Sequence, residues 1–272
     1  MPSTANPAPS STPIPSSTMV IARDNDFDKG MEIFMVVRHH QIDFASGALV
    51  FPGGKVSGSD SSPTLRDRCN GQEDWPDDAL GLGVAAIREA FEESGILLAR
   101  KAGETKLINN TVLNRLNHYR SALEQKEITM EALTHQENLT LAMDQLHHFA
   151  HWVTPELMPK RFDTHFYLAK APEDQIGSHD GSESVDSIWI SPEQALKEAD
   201  EGKLKVIFPT RMNLMRLAQY NNVQEAIDAC AQQQVVQVMP WTEQRESGPV
   251  LCIPLNAGYA VTELPLELVM RS

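Results

Sequence analysis

The sequence predicts an α/β protein in which strands and helices follow one another along one domain. Residues 19–22 and 31–37 are two apolar runs joined by a polar turn, a pattern that predicts a β-hairpin. Residues 84–98 contain no proline and are rich in Ala, Glu, Leu and Ile, which favours a helix. Strand-like runs return at 161–168 and 185–190. The 272 residues suffice for one elaborated domain, or for one domain with an appendage.

The overall composition indicates which kinds of binding partner and which cellular compartment to expect. The net charge is −14, which argues against general binding to nucleic acid or to an anionic membrane. A small anionic substrate stays compatible with that charge, because a bound metal can reverse the local field. There are three cysteines, at 69, 230 and 252, and a small and odd number argues against a disulfide framework. They indicate a reducing compartment, and we expect a cytoplasmic protein.

The N-terminal segment, residues 1–18, is rich in Pro, Ser and Thr and is predicted to be a disordered tail. It has neither the basic start nor the apolar centre of a signal peptide. No apolar run in the chain approaches the roughly 18 residues that a membrane-spanning helix needs. We therefore expect no secretion signal and no membrane span.

A pair of adjacent glycines follows the third predicted strand, at 49–51. Gly53 and Gly54 allow the backbone to approach a metal ion or a phosphate closely. The same pair could also serve only to make a tight turn. The carboxylate-rich helix that comes next in the chain favours the functional interpretation.

That helix places three carboxylates on one face. Glu89, Glu92 and Glu93 stand at positions i, i+3 and i+4 of the helix predicted for 84–98. Such a cluster repels itself, whereas Mg²⁺ or Mn²⁺ prefers hard oxygen ligands of this kind. The pattern therefore predicts a site for a divalent cation. The alternative is an ordinary Glu-rich helix that faces solvent.

Residues 103–151 are predicted to form a helical insert. Two apolar stripes at helical spacing predict two amphipathic helices, the first through Val112 and Leu123 and the second through Leu139 and Ala150. His147 and His151 would stand at i and i+4 of the second helix, a spacing that can bind zinc. No third ligand is evident nearby in the sequence, so a packing or surface role is favoured.

The second half of the chain continues with strands, then helices. In the strand predicted at 161–168, Arg161, Asp163 and His165 share one face, which could meet solvent or line a cleft. An acidic loop follows at 172–184, and Ser191 has the features of a helix N-cap. Further helices are predicted from Thr210 to about Tyr220 and over 223–234.

The tail changes character after residue 220. Residues 235–238 and 250–253 look like two strands joined by a polar turn, and they predict a C-terminal hairpin. The predicted organisation is therefore a disordered tail at 1–18, a main domain at 19–220 and a helix-and-hairpin appendage at 221–272. The main domain includes a surface loop at 61–87 and the helical insert at 103–151.

The segment from Gly54 to Ile96 resembles the Nudix box. That motif runs Gly, five residues, Glu, seven residues, Arg-Glu, an apolar residue, any residue, Glu-Glu, any residue, Gly and an apolar residue. Residues 88–96 match it at every fixed position, and Asp60 stands where the family has Glu. Here 27 residues separate Asp60 from Arg88 in place of seven. The long insertion, the helical insert and the segments at 152–155 and 161–164 resemble the peroxisomal-type coenzyme A diphosphatases and their bacterial relatives.

The resemblance implies a Nudix-type α/β/α sandwich with a mixed sheet and a metal-dependent hydrolase activity. It implies that Glu92 and Glu93 are the principal ligands of Mg²⁺ or Mn²⁺ and that Glu89 is a further ligand or the general base. Arg88 would orient these carboxylates by charged hydrogen bonds. The carbonyl oxygen of Gly53 would be another ligand.

The resemblance also suggests a base from a later loop and a substrate. Glu183 is the first candidate for that base, and Asp180 is the second. The expected substrate is coenzyme A or acyl-coenzyme A, whose phosphates could meet Lys160 or Arg161. ADP-ribose or a dinucleotide is the next candidate, and a catalytically silent nucleotide-binding module is an alternative from another class. The sequence leaves open whether the chain forms a homodimer.

Overall fold

A computed structural model describes residues 11–25, 30–38, 47–71, 75–181 and 184–270. Its strands are β1 (Ile14–Asn25), β2 (Gly30–Arg38), β3 (Leu49–Val50), β4 (Gly53–Lys55), β5 (Cys69–Asn70), β6 (Ala99–Lys101), β7 (Leu139–Ala142), β8 (His147–Val153), β9 (Phe162–Lys170), β10 (Ser184–Ile190), β11 (Gln237–Val238), β12 (Trp241–Arg245), β13 (Gly248–Cys252) and β14 (Glu263–Pro265). Its α-helices are α1 (Asp77–Ser94), α2 (Asn110–Leu116), α3 (Tyr119–Glu124), α4 (Met130–Gln136), α5 (Pro192–Asp200), α6 (Phe208–Leu217), α7 (Val223–Gln232) and α8 (Leu266–Met270).

A mixed sheet forms the centre of the protein, with the strand order β10-β2-β1-β9-β8-β11. Strand β3 pairs with β2, and β4 pairs with β1. One face of the sheet packs against α1 and the insert that contains α2 and α4, around buried residues such as Met19, Ile87 and Leu133. The other face packs against α5, α6 and α7, around residues such as Val20 and Leu214. The α/β/α sandwich predicted from the sequence is therefore confirmed.

Strand β1 begins earlier than the sequence suggested. Its residues Ile14 to Ala22 pair in parallel with Phe162 to Lys170 of β9, and Ser16 to Thr18 pair on the other side with β4. The prediction of disorder was therefore wrong for residues 14–18, because pairing on both sides satisfies their backbone groups. Residues 1–10 lie outside the described part of the chain. This early start matters for the site, because Ser16 to Thr18 are the residues that pair with the glycine loop.

Helix α1 both begins and ends earlier than predicted. Asp77 and Asp78 stand in its first turn, where negative charge interacts favourably with the helix dipole. Gly95 ends the helix in a left-handed conformation with φ of 69°, and its N–H donates to the carbonyl of Phe91. Residues 95–98 are therefore not helical, contrary to the prediction, because glycine at C′ stops the helix before Ile96.

The insertion at 61–87 is a packed part of the domain and not the surface loop that its polarity suggested. Residues 63–68 form a 3₁₀ turn with Leu65 fully buried in the core, and β5 pairs with β7. The last 11 residues, 77–87, belong to α1. The segment is polar on average, and this hid its three structured parts. These are the 3₁₀ turn with Leu65, strand β5 and the first half of α1.

The insert at 103–151 is only partly helical. The first stripe lies on α2 and α3, which are separate short helices. The second predicted helix was wrong, because residues 139–142 and 147–153 form β7 and β8 around a short 3₁₀ turn. Strand β8 also has a register shift between His148 and Ala150. The apolar residues of β7, the turn and β8 are thus spaced along the sequence as they would be in one amphipathic helix.

The C-terminal region is joined to the main domain more closely than predicted. Gln237 and Val238 form β11 and pair in parallel with β8, so they extend the central sheet. The hairpin is formed instead by β12 and β13, with β14 as a third strand. Helix α7 packs in the second core through Val223 and Ala226. Residue 220 is therefore not a domain boundary, because the hydrophobic core continues across it.

Two smaller predictions concern later helices and the membrane. Ser191 caps α5, and its hydroxyl accepts from the Gln194 N–H at 3.1 Å. Helix α6 begins at Phe208, two residues before the predicted start at Thr210, because Pro209 occupies its first turn. Within the described ranges, every helix is too short or too polar to cross a membrane.

Candidate active site

The three carboxylates of α1 are buried together beside the glycine loop. Glu89 is 9% exposed, Glu92 8% and Glu93 5%, so the alternative of a solvated Glu-rich helix is excluded. Helix α1 lies against β1 and β4, which brings this face to the start of both strands. Burying several acidic groups side by side is unfavourable unless other groups balance them.

Arg88 provides part of that balance. Its Nε and Nη2 donate to the two carboxylate oxygens of Asp60, both at 2.9 Å. Its Nη1 donates to Glu89 at 2.8 Å and to both oxygens of Glu92 at 3.2 Å. Burial alone would lower the pKa of Arg88, but the hydrogen bond to Asp60 and the surrounding negative charges raise it, so the guanidinium is charged.

Asp60 is fully buried and holds Arg88 in place. Besides the two-pronged contact with Arg88, its Oδ2 accepts from the Ser57 N–H at 2.7 Å. The sequence left its equivalence to the family glutamate open because of the long insertion. In space, Asp60 and Arg88 meet directly, and Nη2 of Arg88 also donates to the carbonyl of Lys55 at 2.9 Å. The insertion therefore leaves this contact between the two halves of the motif intact.

The glycine loop fits closely over the carboxylates. The N–H of Gly53 donates to Oε2 of Glu93 at 3.0 Å and fixes that side chain. A Cβ atom at Gly54 would lie 2.5 Å from both carboxylate oxygens of Glu89. Close approach of the backbone to acidic groups therefore requires glycine at position 54, which favours the functional interpretation of the pair.

A narrow cleft opens over these groups and is lined by five acidic residues: Glu89, Glu92, Glu93, Glu124 and Asp180. Arg120 connects the two sides of this cleft. Its Nε donates to the Glu92 carbonyl at 3.1 Å, and its Nη2 donates to the Ser178 carbonyl at 2.9 Å. The structure thus brings Asp180 to the site, as the sequence proposed. Glu124 was missed, although its position one turn after Arg120 on α3 could have indicated it.

The charge balance of the site remains negative. The pKa of Glu92 is raised to about 7, chiefly by burial, with Glu89 and Asp60 adding to the rise and Arg88 opposing it. One guanidinium therefore does not compensate all of the acidic groups around it. A set of close carboxylate oxygens with excess negative charge fits Mg²⁺ or Mn²⁺, which prefer hard oxygen donors.

Three of the residues proposed from the sequence are not part of this cluster as described. Glu183 lies outside the described residues. Arg161 is 6% exposed, and it donates to the backbone carbonyls of Thr154 at 3.0 Å and Ser11 at 2.9 Å. These internal contacts do not support a phosphate-binding role for Arg161, which stays a prediction from the sequence. Lys160 is exposed, with its Nζ 5.5 Å from the centre of the Phe162 ring.

The histidines of the insert occupy a strand and not a helix. His147 lines a surface cavity of about 260 Å³ together with Cys230. Burial raises the pKa of Cys230 to about 11, which keeps its thiol protonated near neutral pH. His151 instead points toward the two polar residues of β9 that the sequence placed on one face, Asp163 and His165. No third ligand was evident near His147 and His151 in the sequence, because strand pairing, and not proximity along the chain, brings the residues of β9 to His151.

Comparisons with known proteins find relatives in sequence and in structure. Residues 64–217, more than half of the chain, match the model of the NUDT19 Nudix domain. A Caenorhabditis elegans protein named as a nudix hydrolase is 28% identical over 204 residues, which cover 72% of this chain and 61% of that protein. The Xenopus laevis acyl-coenzyme A diphosphatase NUDT19 is 23% identical over 275 residues, which cover 84% of this chain and 71% of the relative.

A solved structure shows the same similarity. The crystal structure of a Nudix hydrolase from Alicyclobacillus acidocaldarius is 26% identical to this chain, with a TM-score of 0.66. The superposition covers 80% of this chain and 96% of the bacterial one. The chain spans less than two thirds of the nematode relative, so the activity of a whole relative does not transfer directly.

Proposed function

Because the chain belongs to the Nudix hydrolase family, we propose that it is a metal-dependent diphosphatase acting on a nucleoside diphosphate linked to another group. The observation that carries the proposal is the convergence of Glu89, Glu92 and Glu93 at one buried cleft beside the glycine loop. A catalytically silent module would typically lose such carboxylates, whereas this chain keeps all three, which favours catalysis.

The protein's own groups divide the work of the reaction. Glu92, Glu93, Glu89 and the carbonyl of Gly53 would hold Mg²⁺ or Mn²⁺, and Arg88 keeps two of these carboxylates oriented. When bound, such ions neutralise the charge of phosphate oxygens and lower the pKa of the attacking water. Asp180 lines the wall of the cleft and is proposed here as the base that would accept a proton from that water, with Glu89 as the alternative among the described residues. Glu183 keeps its place as an alternative base proposed from the sequence.

The reaction itself is the hydrolysis of a phosphoanhydride. The oxygen of water forms a bond to one phosphorus atom, and the bridging P–O bond breaks. The bridging oxygen leaves with the other phosphate, and the proton of the water passes to the base. Both products therefore end in a phosphate group.

We propose coenzyme A or an acyl-coenzyme A as the substrate, with 3′,5′-ADP and a phosphopantetheine as products. Two observations support this choice over other diphosphates. The Xenopus laevis relative is named as an acyl-coenzyme A diphosphatase and is similar over 84% of this chain. The insert also packs α3 against α1 and has partly buried apolar residues, such as Val112 and Tyr119, that could shelter an apolar arm.

A substrate panel tests the proposal. Coenzyme A, an acyl-coenzyme A, ADP-ribose, NADH and a dinucleoside polyphosphate would each be incubated with the chain and Mg²⁺ or Mn²⁺, and the products identified by mass. We expect the coenzyme A compounds to give the highest kcat/KM, and removal of the 3′-phosphate to lower it. Faster cleavage of ADP-ribose, with equal rates for coenzyme A and its dephospho form, would leave only a general diphosphatase. No turnover of any diphosphate would favour the silent nucleotide-binding module.

A further inference from the structure

A second group of potential metal ligands lies on strands β8 and β9 of the central sheet and shares no residue with the carboxylate cluster of α1. His151 of β8 and His165 of β9 are directly paired residues of neighbouring antiparallel strands, and Asp163 stands two residues before His165 on the same face. One ligand atom from each of these three side chains lies within 4.8 Å of the other two. We propose that His151, Asp163 and His165 bind a transition-metal ion, with Zn²⁺ as the ion that fits best.

The distances within the group fit such an ion. Nε2 of His151 lies 2.5 Å from Oδ1 of Asp163, and Nε2 of His165 lies 3.8 Å from the same oxygen. The ligands of a tetrahedral Zn²⁺ site lie about 2.0–2.2 Å from the ion, which places them roughly 3.4 Å from each other. The two observed separations lie on either side of that value. All three side chains are partly exposed, which gives an ion access from solvent.

His148 forms a hydrogen bond with His165, one of the proposed ligands. Its Nε2 lies 3.0 Å from Nδ1 of His165, on the side of the ring opposite to the proposed ligand atom. Metal-binding histidines almost always use their second ring nitrogen in such a hydrogen bond, because it fixes the ring and the tautomer. If Nδ1 of His165 donates the proton, Nε2 is left unprotonated and faces Asp163.

A polar group without a partner in the described part of the chain lies beside the proposed ligands. Ser17 is paired in register with His165, and its buried hydroxyl has no hydrogen-bond partner among the described residues. A water molecule held by the ion would supply one.

The two proposed metal sites differ in ligand chemistry. The cluster on α1 offers carboxylate oxygens, which suit Mg²⁺ and Mn²⁺, whereas the cluster on the sheet offers two imidazoles and one carboxylate. Two histidines and an acidic residue also leave one position of a tetrahedral ion open for water or another ligand. The ligands come from two paired strands, so the ion would tie β8 to β9 on the face that α1 covers.

Zinc binding by the full chain tests this assignment. Zn²⁺ would be titrated in competition with a chromogenic chelator, in the presence of saturating Mg²⁺ so that the carboxylate site is filled. We expect one equivalent of Zn²⁺ to bind the wild-type chain and the Glu92→Gln/Glu93→Gln double variant alike. Asp163→Asn and His151→Asn should each weaken binding on the order of 100-fold, and His148→Asn by roughly 10-fold to 100-fold.

His147→Asn is the matched control, because it changes a histidine of the same strand outside the group and should leave zinc affinity unchanged. Circular dichroism and the Tm of each variant establish folding, and Asp163, as the most exposed of the three ligands, is the change least expected to affect it. The absorption spectrum of bound Co²⁺ should change with the same variants. Unchanged zinc affinity in folded Asp163→Asn and His151→Asn, or zinc lost in the double variant, would overturn the assignment and leave an ordinary ion pair.

Discussion

At the scale of single residues, Glu92 shows how the site affects the stability of the metal-free protein. Its pKa rises from 4.5 to about 7, mainly because burial disfavours the charged form. The folded state therefore holds this proton more tightly than the unfolded state does. The stabilisation from protonated Glu92 is fully present below about pH 4.5 and is lost as the pH rises through about 7.

Glu92→Gln should therefore stabilise the metal-free protein at pH 8 relative to wild type, by roughly 1–3 kcal/mol. The gain should shrink toward zero at pH 5, where Glu92 itself is protonated. Urea unfolding at the two pH values measures the difference. The same variant should lose most diphosphatase turnover, as should Glu93→Gln. Near-normal turnover in both variants would contradict their assignment as ligands.

Asp60→Asn removes the charge that holds the buried guanidinium of Arg88. Breaking one partner of a buried ion pair costs about 3–5 kcal/mol, because the other charge stays buried. We expect a loss of that size in the free energy of unfolding, together with reduced turnover as Arg88 shifts. Asp67→Asn, an exposed aspartate in the next turn, serves as the control and should change little. A loss below about 0.5 kcal/mol in Asp60→Asn would show that Arg88 does not depend on it.

The two glycines of the loop should respond differently to the same change. Gly54→Ala places a Cβ against the end of the Glu89 side chain, which can move, so turnover should fall while stability changes little. Gly53→Ala places a Cβ within 2.7 Å of the carbonyl oxygen of Ser17 and of Cα of Thr18, which cannot move as easily. Its Tm should therefore drop clearly. Thermal unfolding and turnover of both variants would compare them, and equal Tm losses would contradict this distinction.

At the scale of elements, local signals explain which parts could be predicted from the sequence. Helix α1, the β1–β2 hairpin and the Ser191 cap depend on neighbouring residues, such as the run of helix formers around Ala90. Strands β7 and β8 depend instead on pairing with distant partners, because Leu141 pairs with Cys69 and Ala99. The carboxylates of the site were predictable because one helix carries them, whereas His165 acquires its neighbours only through strand register.

The segment between Asp60 and α1 provides a test at this scale. Leu65 is fully buried, so the replacement of residues 61–87 by a short linker, which would preserve the fold of a surface loop, should here destabilise the protein. Leu65→Ala should itself cost about 2–5 kcal/mol in the free energy of unfolding. Leu157→Ala, at a side chain that is 96% exposed, is the control and should cost less than about 0.5 kcal/mol. If Leu65→Ala and Leu157→Ala had equal effects in chemical denaturation, the segment would be a surface loop after all.

At the scale of the whole molecule, the central sheet separates two hydrophobic cores with different tasks. The first core supports α1 and the acidic cleft. The second core contains α5, α6 and α7, and it also takes in Ile253, Ala257 and Tyr259 from the C-terminal region. The sequence could not show this, because the tail has no motif and the hydrogen-bond partners of Tyr259, Trp152 and Asn213, lie more than 40 residues away. The last part of the chain therefore belongs to the fold that carries the site.

A substitution at Tyr259 tests how much the contact between the C-terminal region and the second core contributes to stability. Its hydroxyl accepts from Nε1 of Trp152 at 2.8 Å and donates to Oδ1 of Asn213 at 2.7 Å, and all three groups are buried. Tyr259→Phe should lower the free energy of unfolding by about 1–3 kcal/mol, because two polar partners lose a hydrogen bond. Turnover per folded molecule should stay at the wild-type level. Tyr220→Phe, at a half-buried tyrosine, is the control, and an equal effect of both changes would argue against the network.

The direct contact between Asp60 and Arg88 has a consequence for how the chain can vary in length. It closes a loop of 27 intervening residues, where the Nudix box closes one of seven. For flexible chains the entropy of closure grows only with the logarithm of length, so this difference amounts to about 1 kcal/mol. A further doubling would add about 0.6 kcal/mol. Chain entropy thus sets hardly any limit on this distance, and relatives with widely different spacings can keep the same ring of charges.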